Sequence, residues 1–225
     1  MTTAVNDYDD KLIGGWLAVC AMTIFGMILL GGVTRLTESG LSMVDWRPIM
    51  GVMPPLSTAD WVYLFDQYKL YPEYQLVNQG MTLAEFKQIF WFEYLHRMLG
   101  RLIGVMFFIP LMVFLWMGKV RASLKPHLFA LLFLGGCQGL MGWYMVQSGL
   151  VDRPDVSQYR LTAHLGLAIA IYGYIVWLTI GLFSRERQRK EAAARSVFSI
   201  IGLVYLMILS GGFVAGTHAG LYLPT

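Results

Sequence analysis

Apolar positions in this chain neither alternate nor recur with a helical period; they run on. Five stretches stay apolar for about 20 residues: 13–33, 94–117, 127–147, 161–183 and 196–216. Between them they hold two charged residues, Arg97 and Arg101. Runs of this length match the hydrocarbon thickness of a bilayer, and each predicts a transmembrane helix. The polar intervals are uneven: a long one at 34–90, and short ones at 118–126, 148–160 and 184–195. Inside the long one, "STAD" (57–60) and "TLAE" (82–85) have the pattern of capping boxes, so each predicts a helix start. Nothing interrupts the second of these before Pro110, so one helix is predicted to enter the second span from outside it. The loop's aromatic residues, Trp46, Trp61, Tyr63, Phe65, Tyr68, Tyr71 and Tyr74, are expected at the membrane interface.

Composition agrees with this pattern. The chain is 56% hydrophobic and 14% charged, against about 25% charged in soluble domains. A net charge of +3 is too small for a nucleic-acid partner. The placement of the positive charge says more. "KVRASLKP" holds three basic residues and "SRERQRKEAAAR" five, which puts both links, and the N-terminus, on the cytoplasmic side. The N-terminal stretch resembles neither a signal nor a transit peptide, and a multi-pass protein of a bacterial cytoplasmic (inner) membrane is expected. Cys20 and Cys137 both fall inside spans, so they read as packing residues rather than a disulfide.

The sequence also repeats. "MILLGGVTRLTESGL" (27–41) aligns without gaps to "MILSGGFVAGTHAGL" (207–221), with eight of fifteen positions identical. Both segments end a span that runs from inside to outside, as a duplicated bundle requires. The predicted fold class is therefore an all-α integral membrane protein: a four-helix transmembrane bundle plus the first helix of a second, incomplete pseudosymmetric bundle. The expected units are a cytoplasmic N-terminus (1–12), a four-helix bundle (13–183) with its outer loop (34–90), a basic link (184–195), and the first helix of a second bundle (196–225).

Candidate chemistry gathers at the outer ends of spans two and four. His96 and His164 lie near those ends at similar depth, an arrangement that suits two axial imidazoles on a haem iron between helices. Gly100 is four residues after His96 on the same helix face and offers room for a flat macrocycle. Arg97, Arg101 and Arg160 match the geometry of haem propionates, and they match lipid phosphates equally. Glu93, three residues before His96, is placed to accept the imidazole N–H or to act on a bound ring, or simply to face water at the helix start. His127, at the inner end of span three, reads as interfacial. His218 sits at the outer end of span five, and its role stays open.

Four motifs in order, "GGVTRLTESGLSMVDWRPIMGVMPP", "MTLAEFKQIFWFEYLHRMLGRLIG", "GCQGLMGWYMVQSGL" and "VSQYRLTAHLGLA", resemble haem A synthase, of its alphaproteobacterial and mitochondrial branch. The resemblance covers residues 12–225. It implies eight spans in two four-helix bundles, each with a histidine pair. The front bundle would receive haem O and the rear bundle would hold haem b. The activity implied is a haem O monooxygenase that oxidises the C8 methyl to a formyl group, giving haem A for terminal oxidases. Carried over, His96 and His164 match the front pair, and Glu93 matches the acid of an "E-x-x-H" pattern. A haem O synthase, an electron donor and the oxidase assembly machinery are the implied partners besides the lipid bilayer. Spans six to eight lie outside these 225 residues, so the chain reads as a haem A synthase truncated after the fifth span. Two other readings share the same residues: a bis-His cytochrome b that transfers electrons, and an assembly factor without enzymatic activity.

Overall fold

The computed structural model describes residues 7–44, 52–150, 154–184 and 191–219, with the side chains of 191–196 left aside. Seven helices follow one another: α1 (Asp7–Leu36), α2 (Thr58–Tyr68), α3 (Pro72–Leu76), α4 (Leu83–Trp116), α5 (Lys125–Gln147), α6 (Gln158–Phe183) and α7 (Glu191–Gly216). Five are long and apolar enough to cross a membrane: α1, α4, α5, α6 and, within α7, Val197–Gly216. They correspond one to one with the five predicted spans. The chain is an all-α, multi-pass membrane protein.

Both predicted capping boxes form. Ser57 accepts from the Asp60 N–H while Asp60 accepts from the Ser57 N–H, and Thr82 and Glu85 do the same at the start of α4. The helix α4 then runs for 34 residues through Pro110, about 51 Å at 1.5 Å per residue. That exceeds the roughly 30 Å hydrocarbon core, so its first turns stand outside the bilayer and need cover. The helix α2 supplies it. Trp61, Phe65 and Tyr68 pack onto Phe86, Phe90 and Tyr94 of α4 as a separate aromatic core. The rings of Phe65 and Phe86, and of Trp61 and Phe90, lie 5.0 Å apart. These three aromatics were expected in an interfacial belt; they turn inward because α4 projects past the membrane. Tyr63 stays exposed, and Trp46 lies outside the described residues.

In the membrane, α1 packs on α4 and α6, and α5 packs on α6 and more lightly on α4, so α4 and α6 lie diagonally. The inner half is a dense core of Ile13, Leu17, Cys20, Leu111, Leu128, Ile175 and Leu182, among others. At that end Asp9 pairs with Lys119 (3.3 Å) and Asp10 with Arg121 (3.2 Å), tying the N-terminus to the basic link after α4.

The sequence repeat is a structural repeat. Glu38 (φ +50°) and His218 (φ +54°) are the two non-glycine residues with positive φ among the described residues, and they occupy equivalent positions. Each follows a threonine, Thr37 or Thr217, whose hydroxyl donates to the carbonyl four residues back at 2.9 Å. The same left-handed cap thus ends α1 and α7. The caps meet: Arg35 donates to the Ala215 carbonyl (2.6 Å) and lies 2.9 Å from His218 Nε2.

Candidate functional site

One layer of the bundle holds no fully buried apolar side chain. No apolar side chain is buried between residues 22 and 33 of α1, 95 and 106 of α4, 132 and 145 of α5, or 167 and 170 of α6. Below this layer lies the inner core; above it lies the aromatic core of α2 and α4. Partly buried side chains, among them Ile24, Met106, Leu132 and Leu167, border it and pack against the inner core.

His96 and His164 stand in this layer on the diagonal helices. His164 lies within electrostatic reach of His96. Each imidazole rests over a glycine of a flanking helix. A Cβ on Gly31 of α1 would come 3.3 Å from His96 Nε2, and one on Gly142 of α5 would come 3.0 Å from His164 Cε1. Glycine at both places lets the rings lie against backbone. Gly100 has a different neighbour: its Cβ direction meets Met27 of α1 at 3.4 Å.

The pocket's polar groups are incompletely bonded. Gln138 Nε2 donates to the His164 carbonyl (3.1 Å) and lies 3.3 Å from His164 Nε2. Gln138 Oε1 and His164 Nδ1 are buried without a hydrogen-bond partner. Buried polar atoms are seldom orphaned, so these two call for an explanation. Among the described residues no three His, Cys, Asp or Glu side chains converge on a metal-sized position. A bare ion takes three or four protein ligands, whereas two imidazoles on opposite helices suit a metal already held in a planar ring.

The outer polar residues have another arrangement. Glu93 is 2% exposed. Its Oε2 accepts from Ser42 Oγ and from the Met43 N–H, both at 2.7 Å, and its Oε1 pairs with Arg97. Arg97 also donates to the Met43 carbonyl at 2.9 Å. The acid and guanidinium, one turn apart on α4, thus clamp the end of the 34–44 segment onto the helix. No hydrogen bond joins Glu93 to His96 among the described residues. Arg160 donates to the Tyr144 carbonyl (2.8 Å) and stacks 3.7 Å over its ring. Arg101 is half-buried and engaged rather than free.

A second buried acid, Glu73 of α3, lies beneath the cap. It is 5% exposed, and its Oε2 has no partner. Burial, with Glu93 nearby, pushes its carboxyl up to about 8. Burial and the Glu73 carboxyl likewise raise the Tyr68 phenol.

Reading from sequence did not single out Gly31, Gly142, Gln138, Ser42 or Glu73. Gln138 carried a signal, as a lone amide in the middle of an apolar span. Gly31 sat in the repeat. The roles of Ser42 and Glu73 depend on how the loop folds back, which no local pattern announces.

A family model described as "Cytochrome oxidase assembly protein" (COX15-CtaA) matches residues 14–225. Proteins named "Heme A synthase" are similar along almost the whole chain. That of Nitrosospira multiformis is 52% identical over 94% of this chain and 61% of its own length. That of Nitrosomonas eutropha is 50% identical, over 91% and 59%. That of Parvibaculum lavamentivorans is 47% identical, over 98% and 64%. The chain thus spans about three fifths of the length of these curated relatives. No solved structure matches it.

Proposed function

Because the chain belongs to the cytochrome oxidase assembly protein family, we propose that it serves haem A synthesis, taking haem O as substrate between α4 and α6. One observation carries the reading: two histidines on diagonal helices, each over a glycine, in a layer with no fully buried apolar side chain. His96 and His164 hold the haem iron from its two faces. The sequence resemblance to haem A synthase implies the reaction, oxidation of the C8 methyl to a formyl group by successive oxygenations. Haem b belongs to a second bundle, of which α7 is the first helix; the shared cap of α1 and α7 supports that division of the chain at 13–183 and 196–225.

The residues around the layer have separate tasks. Gly31 and Gly142 let the rings lie against backbone, and Gly100 faces Met27 of α1. Arg160, at the layer's outer rim, and Arg101, more than one turn further in than His96, meet the propionates. Arg97 acts through Glu93. Glu93 sits one turn from His96 and fixes the loop that closes the layer from outside, and its carboxylate is the nearest acid to the reacting edge. The dense inner core keeps water from entering on the other side. The basic links face the cytoplasm and the haem layer lies toward the outer side of a bacterial inner membrane. A haem O synthase, an electron donor and the oxidase assembly machinery are the partners this activity requires.

The test is to express the chain with a haem O synthase, purify it in detergent, and identify the extracted haem by mass. Haem O or haem A with a low-spin spectrum supports the proposal. Haem b alone favours an electron-transferring cytochrome, and a colourless folded protein contradicts haem binding by these residues.

A further inference from the structure

We propose that Gln138 is a positioning residue that makes His164 the exchangeable member of the histidine pair, while His96 is the fixed one. This rests on the haem reading above and concerns how the two sides of the site differ. Gln138 lies mid-span on α5, whereas Gln88, Gln147 and Gln158 lie near helix ends. A carbonyl oxygen only accepts, so the 3.1 Å contact with the His164 carbonyl turns the amide nitrogen toward α6. That leaves the second N–H of the same nitrogen for His164 Nε2, 3.3 Å away. Nε2 is then an acceptor and the ring proton sits on Nδ1, which is buried and has no partner. The lone pair that an iron needs is the one the amide covers. Gly142, one turn after Gln138, holds the other edge of the ring, so α5 grips His164 through two positions of one face.

The other histidine is not held in this way. His96 Nε2 faces Gly31, which has no side chain, and no side-chain hydrogen bond to His96 occurs among the described residues. Binding iron through His96 breaks nothing. Binding it through His164 exchanges an amide hydrogen bond, which for a bond of ordinary strength weakens that ligand by about tenfold. The haem face under His164 is therefore the one that opens to a small diatomic ligand, and Gln138 stands beside it as the nearest side-chain donor.

The experiment uses the whole 225-residue chain loaded with iron protoporphyrin IX, with carbon monoxide as probe of the ferrous haem. Wild type is expected to bind carbon monoxide, and Gln138→Leu to bind it about tenfold more weakly at equal haem content, since His164 then competes unhindered. His164→Ala is expected to retain a five-coordinate haem and His96→Ala to lose it. In the ligand-free protein, ¹⁵N resonances of the imidazoles should report an Nδ1–H tautomer at His164, shifting in Gln138→Leu. Unchanged carbon monoxide affinity together with an unchanged tautomer overturns the proposal while leaving the haem reading intact. Failure of wild type to take up any haem overturns both.

Discussion

Two polar clusters stand in the outer half of the bundle, one around Glu93 on α4 and one around His164 on α6, and they are opposite in kind. Around Glu93 every buried group is satisfied: one carboxylate oxygen takes Ser42 and Met43, the other takes Arg97, and Arg97 turns back to Met43. Around His164 the buried groups are half bonded, with Gln138 Oε1 and His164 Nδ1 left over and glycines clearing the space beside the rings. Satisfied polar groups fasten a structure. Unsatisfied ones wait for a partner. The difference separates what holds the outer loop down from what receives a ligand.

Breaking the fastening cluster should have the largest effect on stability. Glu93→Ala leaves the Arg97 guanidinium buried without its acid, at a cost of about 3–5 kcal/mol, visible as a lowered melting temperature in detergent. Glu93→Gln, which keeps Ser42 as a neighbour, should lose less. Equal melting of wild type and Glu93→Ala would move Glu93 out of the fastening cluster and into pure chemistry.

The receiving cluster should behave in the reverse way. His96→Ala and His164→Ala should both abolish the low-spin spectrum while changing the melting of the ligand-free protein by less than about 1 kcal/mol. A large loss of ligand-free stability in either variant would make that histidine a structural residue.

The clearings can be tested separately. Gly142→Val, whose first added carbon already comes 3.0 Å from His164, should weaken haem binding at least about tenfold. Gly139→Ala, on the same helix with nothing within 4 Å, should be silent. Equal effects of the two would show that helix propensity, not the clearing, is being measured.

The smallest effect belongs to Glu73, between the two clusters in character: buried, yet with one oxygen unbonded. Burial pushes its carboxyl up to about 8 from the ordinary 4.5, so the folded state favours the protonated acid. Its contribution to stability is complete below pH 4.5 and is lost as pH rises through 8. The melting temperature should fall over that window, by about 2–4 °C for each kcal/mol lost. Glu73→Gln should flatten this fall, and an unaltered slope would exclude Glu73 as its source.

Much of the scaffold was legible in the letters. Five apolar runs, two capping boxes and the uninterrupted entry of α4 from outside need only local information: hydrophobic length, S/T-x-x-D/E spacing and the position of Pro110. The duplication was legible too, down to Glu38 and His218 at matching caps. The histidine pair was singled out because two spans that both run from outside to inside place His96 and His164 at similar depth. What escaped was the sorting of the polar residues. Glu93, Arg97 and His96 share a helix stretch, and only the return of Ser42 and Met43 from 50 positions away decides that the first two serve the loop. The same holds for Trp61, Phe65 and Tyr68, whose inward packing depends on how far α4 outreaches the membrane. Long-range contacts of this sort carry no period or motif.

The most direct measurement is a titration of iron protoporphyrin IX into the purified, ligand-free chain, followed by absorption in the oxidised and dithionite-reduced states. The account predicts saturable uptake of one haem per chain with low-spin bis-imidazole bands, lost when either His96 or His164 is replaced by Ala. Uptake with identical low-spin bands in both single variants, or no uptake by a correctly folded wild-type chain, would contradict it.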